Sequence, residues 1–163
     1  MRSLTIALLL ASFSASAQTE LGRKISDAVQ QLKGDAPTLQ DPVALRAGMV
    51  TSGDSVAFIV KVVIAPGWHI YSYVPGNQPY IPIEHVLQLP ENIRAVGKWE
   101  KSRPTTSVND PGVLMYEKEA LFVQKAVKVA GAKPGKTVVG LYYQACDLRQ
   151  CLRPVEKTIE LVN

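Results

Sequence analysis

The sequence predicts an all-β, two-layer antiparallel sandwich preceded by one short helix. Three observations carry that expectation. Seven runs rich in β-branched and aromatic residues recur between Ser55 and Val162. Gly, Pro, Asn and Asp turn signals separate them, and no helical periodicity intervenes after Pro42. The length of 163 residues suits one domain with a real core.

The elements follow in chain order. Arg2, the apolar run Leu4 to Leu10 and the small residues Ala15-Ser16-Ala17 read as an export signal cleaved after residue 17. That run is far shorter than the roughly 20 apolar residues a membrane span needs. No later stretch is long and apolar enough, so the expectation is a soluble periplasmic protein. Residues 18–42 read as an N-terminal extension. Within it Leu21, Ile25, Ala28, Val29 and Leu32 recur at helical spacing, and Gly34 and Pro37 stop the helix. Residues 43–163 read as the main domain. Ser55 to Ala65 carries Lys61 as its only charge, as a strand buried on nearly both faces does. Ala65-Pro66-Gly67 is a turn. Strands are expected over Trp68–Val74, Ile83–Leu89, Ile93–Glu100, Ala120–Val129, Thr137–Ala145 and Val155–Val162. Ser102 to Gly112, with two Pro and little apolar content, is the longest expected loop.

Charge narrows the function. The formal excess of +4 is spread along the chain. Nucleic-acid binding needs a basic stripe with interleaved aromatics, and none is present. Gly-rich phosphate loops, Gly-x-Ser-x-Gly and His-Glu-x-x-His are also absent, and no cofactor is expected.

The visible chemistry is the pair Cys146 and Cys151. Strand pattern runs up to Cys146 and resumes after Cys151, which predicts a hairpin whose loop is Asp147 to Gln150. Directly opposed residues lie about 4.5 to 5.5 Å apart at Cα, inside the disulfide window of roughly 4.4 to 6.8 Å. In an exported protein such a pair is commonly an inert bridge. Yet a bridge closing six residues removes only about 2 kcal/mol of chain entropy, against about 5 for a hundred-residue loop. It also sits at a loop tip, where another thiolate can reach it. On spacing alone, staple and redox pair weigh equally. Asp147 follows Cys146, while Arg149 and Arg153 flank Cys151, which favours Cys151 as the more easily ionised thiol.

Tyr142-Tyr-Gln-Ala-Cys146 followed by Cys151-Leu-Arg-Pro154 resembles the N-terminal periplasmic domain family of the thiol:disulfide interchange protein DsbD. Pro66-Gly-Trp-His-Ile-Tyr-Ser72 is similar to that family's early aromatic strand. Leu114-Met-Tyr-Glu-Lys118 is similar to its segment leading into a central strand. The resemblance implies an immunoglobulin-like antiparallel β-sandwich with Cys146 and Cys151 as redox cysteines. It implies electrons arriving from a thioredoxin-like or membrane-embedded thiol reductase and leaving to periplasmic proteins with disulfides. On this reading the chain is a protein-disulfide reductase component, and its reductase is a separate protein. A shielding loop is implied within Ser102 to Gly112. Tyr71 and Tyr116 align with aromatics near the family's site, and Tyr142, Asp147 and Arg149 complete the expected surroundings. One residue fewer separates the cysteines than in the family's best-known member, a subfamily difference.

Two other readings are open to the residues. His69 and His85 with the cysteines could form a zinc site, but the spacing matches no zinc pattern, and no metal is expected. The alternative to a relay is a non-catalytic sandwich that binds an envelope component, with the bridge pinning its last hairpin.

Overall fold

Ser55–Ile64 has almost no polar residue to turn toward water, so both of its faces must be covered. The computed structural model describes residues 20–162, and the expected leader lies outside them. Residues 20–31 form the helix α1. Eleven strands follow among the described residues: β1 (Val43–Ser52), β2 (Ser55–Ile64), β3 (His69–Tyr73), β4 (Glu84–Gln88), β5 (Ile93–Lys101) and β6 (Thr105–Thr106). After these come β7 (Leu114–Glu117), β8 (Glu119–Lys128), β9 (Lys136–Tyr143), β10 (Ala145–Cys146) and β11 (Val155–Val162). No helix among the described residues is long and apolar enough to cross a membrane.

The strands form three ladders, ordered β1-β2-β8-β5, β10-β3-β7-β6 and β11-β9-β4. Their named pairings are antiparallel. The first ladder is one layer of an immunoglobulin-like sandwich, and the other two supply the opposing layer. Phe58, Val60 and Phe122 from the first meet Leu141 and Tyr143 of β9, with Ile70, Tyr116 and Ala145 of the β10-β3-β7-β6 ladder, in one core. Each large side chain buried there contributes about 1.5 to 3 kcal/mol.

β2 is covered on both faces, as its composition requires. Val56, Phe58, Val60 and Val62 enter the core, while Ala57 on the other face packs with Val123 and Leu21 of α1. The helix thus lies on the outer face of the first layer. Its C-terminal side comes so close that a Cβ added at Gly48 of β1 would sit 2.9 Å from a Leu32 methyl. A glycine at Gly48 makes that approach possible.

The structure differs from the sequence reading in three places. β1 is a full strand where none was expected, because Ala44, Ala47 and Gly48 dilute its β-forming pattern. It forms through a two-residue turn at Gly53-Asp54, with Gly53 at φ 59° and Ser52 opposite Ser55. The expected strand Thr137–Ala145 is two strands in different ladders, because the chain leaves β9 at Gln144 and joins β3 as β10. The expected loop from Ser102 to Gly112 contains the short β6, and β7 follows it. Lys118, at φ 63°, makes the bend by which the chain passes from β7 to β8 in the other layer. β8 is then central, paired on both sides by β2 and β5.

Candidate thiol–disulfide site

The site is built on the outward face of the β10-β3-β7 ladder, and the two-residue period of a strand decides which side chains reach it. Ile70, Tyr116 and Ala145 point into the core. Their neighbours His69, Tyr71, Met115 and Glu117 point the other way and line a cleft of about 570 Å³. Cys146 is on this second face, packed with Tyr71 and Val113. Pro66 and Gly67 set the start of β3: the Trp68 amide donates to the Ala65 carbonyl at 3.0 Å, with Gly67 at φ 82°. A turn of this shape needs glycine at its third position.

Cys146 and Cys151 are disulfide-bonded, with Cα atoms 4.0 Å apart, and form an antiparallel bridge. This is the expected cross-strand pair, drawn closer than a regular ladder by the tight loop between them. The Asp147 amide donates to the Gln150 carbonyl at 2.9 Å, and the Leu152 amide to the Ala145 carbonyl at 2.8 Å. Asp147 Oδ1 accepts the amides of Arg149 and Gln150, both at 2.7 Å. Those two bonds, Arg149 first, hold the Asp147 carboxyl below its ordinary range. Gln144 ties the crossover down: its Oε1 accepts from the Ile81 amide and its Nε2 donates to the Leu152 carbonyl, each at 3.2 Å.

The two sulfurs are not equivalent. Cys146 is 1% exposed, whereas Cys151 is exposed and lines the cleft with Asp147, Leu148 and Arg149. On the opposite side stands the segment Ser107 to Asp110, part of the loop singled out in the sequence. Asp110 anchors it, since Tyr80 Oη donates to Asp110 Oδ1 at 3.3 Å and Ser107 Oγ to Asp110 Oδ2 at 3.3 Å. Tyr80 stacks on Tyr71 at 4.6 Å, and His69 meets Tyr71 edge-on at 5.1 Å. His69 Nε2 and Tyr71 Oη share a hydrogen bond of 3.0 Å. Burial raises the Tyr71 and Tyr80 hydroxyls above the ordinary tyrosine value, and it lowers His69 below its ordinary one.

Of the residues expected around the pair, Tyr71, Asp147 and Arg149 line the cleft, while Tyr116 and Tyr142 do not. Tyr116 faces the core between Met115 and Glu117. Its Oη donates to the Ser102 carbonyl at 3.0 Å, and its ring meets Phe122 edge-on at 5.4 Å. Tyr142 lies between the buried Leu141 and Tyr143, and the crossover at Gln144 interrupts the alternation that would relate it to Cys146. His69, Tyr80, Met115 and Glu117 are cleft residues that the sequence reading did not name among the surroundings of the pair, while Asp110 belongs to the loop Ser102 to Gly112 that the resemblance implied would shield it. For His69 the signal was present: it precedes Tyr71 by two positions and so shares its face.

His69 lies on the cleft face with the cysteines, but the second histidine does not join them. His85 stacks on Trp99 at 4.7 Å in another ladder, away from the cleft. Among the described residues no group of three or more His, Cys, Asp or Glu side chains is placed to hold a metal ion.

The family model described as thiol:disulfide interchange protein DsbD, N-terminal, matches residues 36–163. Among solved structures, the reduced N-terminal domain of DsbD from Neisseria meningitidis aligns at 20% identity, covering 74% of this chain and 86% of that one, with a TM-score of 0.44. The GAE domain of yeast GGA1 aligns at 5% identity over 77% of this chain and 96% of that one, with a TM-score of 0.43. No curated protein matches. The family match takes in both cysteines, every strand among the described residues and the residues that line the cleft, and the chain therefore belongs to the family of the N-terminal domain of the thiol:disulfide interchange protein DsbD.

Proposed function

We propose that this protein is a periplasmic thiol–disulfide relay in which Cys151 exchanges with partners and Cys146 resolves the mixed disulfide. Residues 1–17 serve as the export signal, 18–42 as the N-terminal extension carrying α1, and 43–163 as the interchange domain. The observation that carries the reading is the unequal exposure of two bonded sulfurs, one buried and one open to a cleft.

Charging begins when a thiolate of a thioredoxin-like or membrane-embedded reductase attacks Cys151 Sγ. A bond forms between the partner and Cys151, the Cys146–Cys151 bond breaks, and Cys146 leaves as a thiolate. The partner's second thiolate then displaces Cys151, so two electrons have entered the pair. Discharge reverses the sequence onto the disulfide of a periplasmic protein. Attack at Cys151 is supported by access, since a nucleophile must approach along the S–S axis and Cys146 is enclosed. Arg149 beside Cys151 favours its thiolate. The segment Ser107 to Asp110 moves aside as a partner docks.

Replacing the resolving cysteine tests the relay. Cys146→Ser leaves Cys151 unable to be released, and it should accumulate mixed disulfides with envelope proteins on non-reducing gels. The wild-type pair should titrate above about −300 mV, where inert structural bridges lie lower. A variant that traps nothing, with a pair that resists reduction to below that potential, would reduce the bridge to a staple.

A further inference from the structure

We propose that His69 is the proton acceptor for Cys146 in the resolving step, a role that rests on the relay described above. His69 and Cys146 are direct partners in the β3–β10 register, so their side chains leave the ladder on the same face. That face is the floor of the cleft into which Cys151 opens. Cys146 itself is 1% exposed and packed against Tyr71 and Val113. A thiol in such surroundings holds its proton, and only the thiolate attacks. The resolving step therefore needs an acceptor on that face, and an imidazole has the right affinity near neutral pH.

The surroundings of His69 suit the task. Tyr71 Oη at 3.0 Å orients the ring from its own strand. Glu117 of β7 is its other register partner, and Asp110 and Asp147 flank it from the two loops that wall the cleft. Each of the three carboxylates favours the imidazolium, with Glu117 the strongest, while burial favours the neutral ring and outweighs them. His69 is thus neutral at rest, and the carboxylates offset part of the cost of receiving a proton. Tyr80, Ser107, Asn109 and Gln150 add uncharged polar groups to the cleft, and Arg149 adds a cation that opposes the imidazolium.

The Cys151 thiolate attacks a target disulfide; a Cys151–target bond forms and one target sulfur leaves as thiolate. Cys146 gives its proton to His69 and attacks Cys151 Sγ. The intramolecular disulfide returns, the second target sulfur leaves as thiolate, and His69 passes its proton to solvent or to that thiolate. Two electrons have moved from the pair to the target, and a dithiol protein restores them by the reverse path.

Ellman's reagent serves as the target, followed by stopped flow with the fully reduced protein. Release of the first coloured thiolate reports attack by Cys151, and release of the second reports resolution by Cys146. His69→Gln should slow the second phase at neutral pH by at least about tenfold more than it slows the first, and remove from the second phase the inflection that the imidazole gives it. Glu117→Gln should keep that inflection and move it to lower pH, because the imidazolium loses its strongest carboxylate neighbour. A His69→Gln protein whose second phase keeps the wild-type rate and pH profile overturns the assignment. If His69→Gln does not fold, Glu117→Gln decides: an inflection that does not move overturns the assignment equally. Both readouts use a synthetic disulfide and no physiological partner. A failure here therefore leaves the trapping of envelope proteins by Cys146→Ser untouched, and a failure to trap leaves this result standing.

Discussion

The two histidines of this protein sit in aromatic surroundings, and the contrast between them separates structure from chemistry. His85 lies between the layers, stacked on Trp99 and edge-on to Phe122 at 5.0 Å. Its Nε2 is buried with no hydrogen-bond partner among the described residues. Burial, assisted by the Lys101 charge, pushes it down to about 4. His69 is also lowered by burial, but its Nε2 has a phenol partner and three carboxylates favour its charged form. Among the described residues a protonated His85 finds no partner at Nε2, whereas a protonated His69 has three carboxylates that offset part of its burial cost. Packing with aromatics therefore says little about a histidine's role. What faces its nitrogens says more.

The largest effect should come from the core side of this comparison. Phe122 is fully buried and touches the ring systems of both His85 and Tyr116. Phe122→Ala should cost about 3 to 5 kcal/mol in denaturant unfolding. The folded fraction should still reduce with dithiothreitol at the wild-type rate, because the cleft is built on the opposite face of β3 and β7. A comparable loss of thiol reactivity in folded protein would show that core and cleft are not independent.

An acid titration of stability gives a smaller effect and tests the histidine contrast itself. The folded His85 binds a proton only near pH 4, the unfolded one near its ordinary 6.5. The unfolded state therefore takes up more protons between those values, and stability present above 6.5 is lost as pH falls toward 4. His85→Phe should recover about 1 to 2 kcal/mol of that loss, a figure reduced for the ring's partial exposure. Matching pH profiles for wild type and His85→Phe would remove His85 as the acid-labile group.

Smallest in stability is the hairpin of the cleft. Asp147→Ala removes the acceptor for the Arg149 and Gln150 amides. Those two amides should exchange hydrogen faster while the melting temperature hardly changes, since the loop lies outside the packed layers. Unchanged exchange would mean that the disulfide alone holds the loop.

Much of the fold was legible in the chain. Leu21, Ile25 and Leu32 announced α1, the unbroken apolar run at Ser55 announced a strand covered on both faces, and turn residues marked most boundaries. β1 was hidden because Ala and Gly dilute its pattern, and a long partner strand and a helix enforce what local preference does not. β10 was hidden because a chain that changes ladders at Gln144 leaves no break in hydrophobicity. The cysteine pair and its bondable spacing were legible as well. The placement of Tyr116 and Tyr142 was not, because a resemblance places residues along a chain and the pleat assigns their faces.

From residue types and periods alone came a two-layer β-sandwich, a short helix before it, and two cysteines close enough to bond. These are local properties, written in alternation, turn residues and spacing. The tertiary structure decided which sulfur is buried, which faces the cleft, and which histidine stands opposite a sulfur. His69 and Cys146 are far apart in sequence and meet only because β10 leaves the β9 ladder to pair with β3. No local pattern encodes that meeting. It follows from how the two halves of one layer are joined.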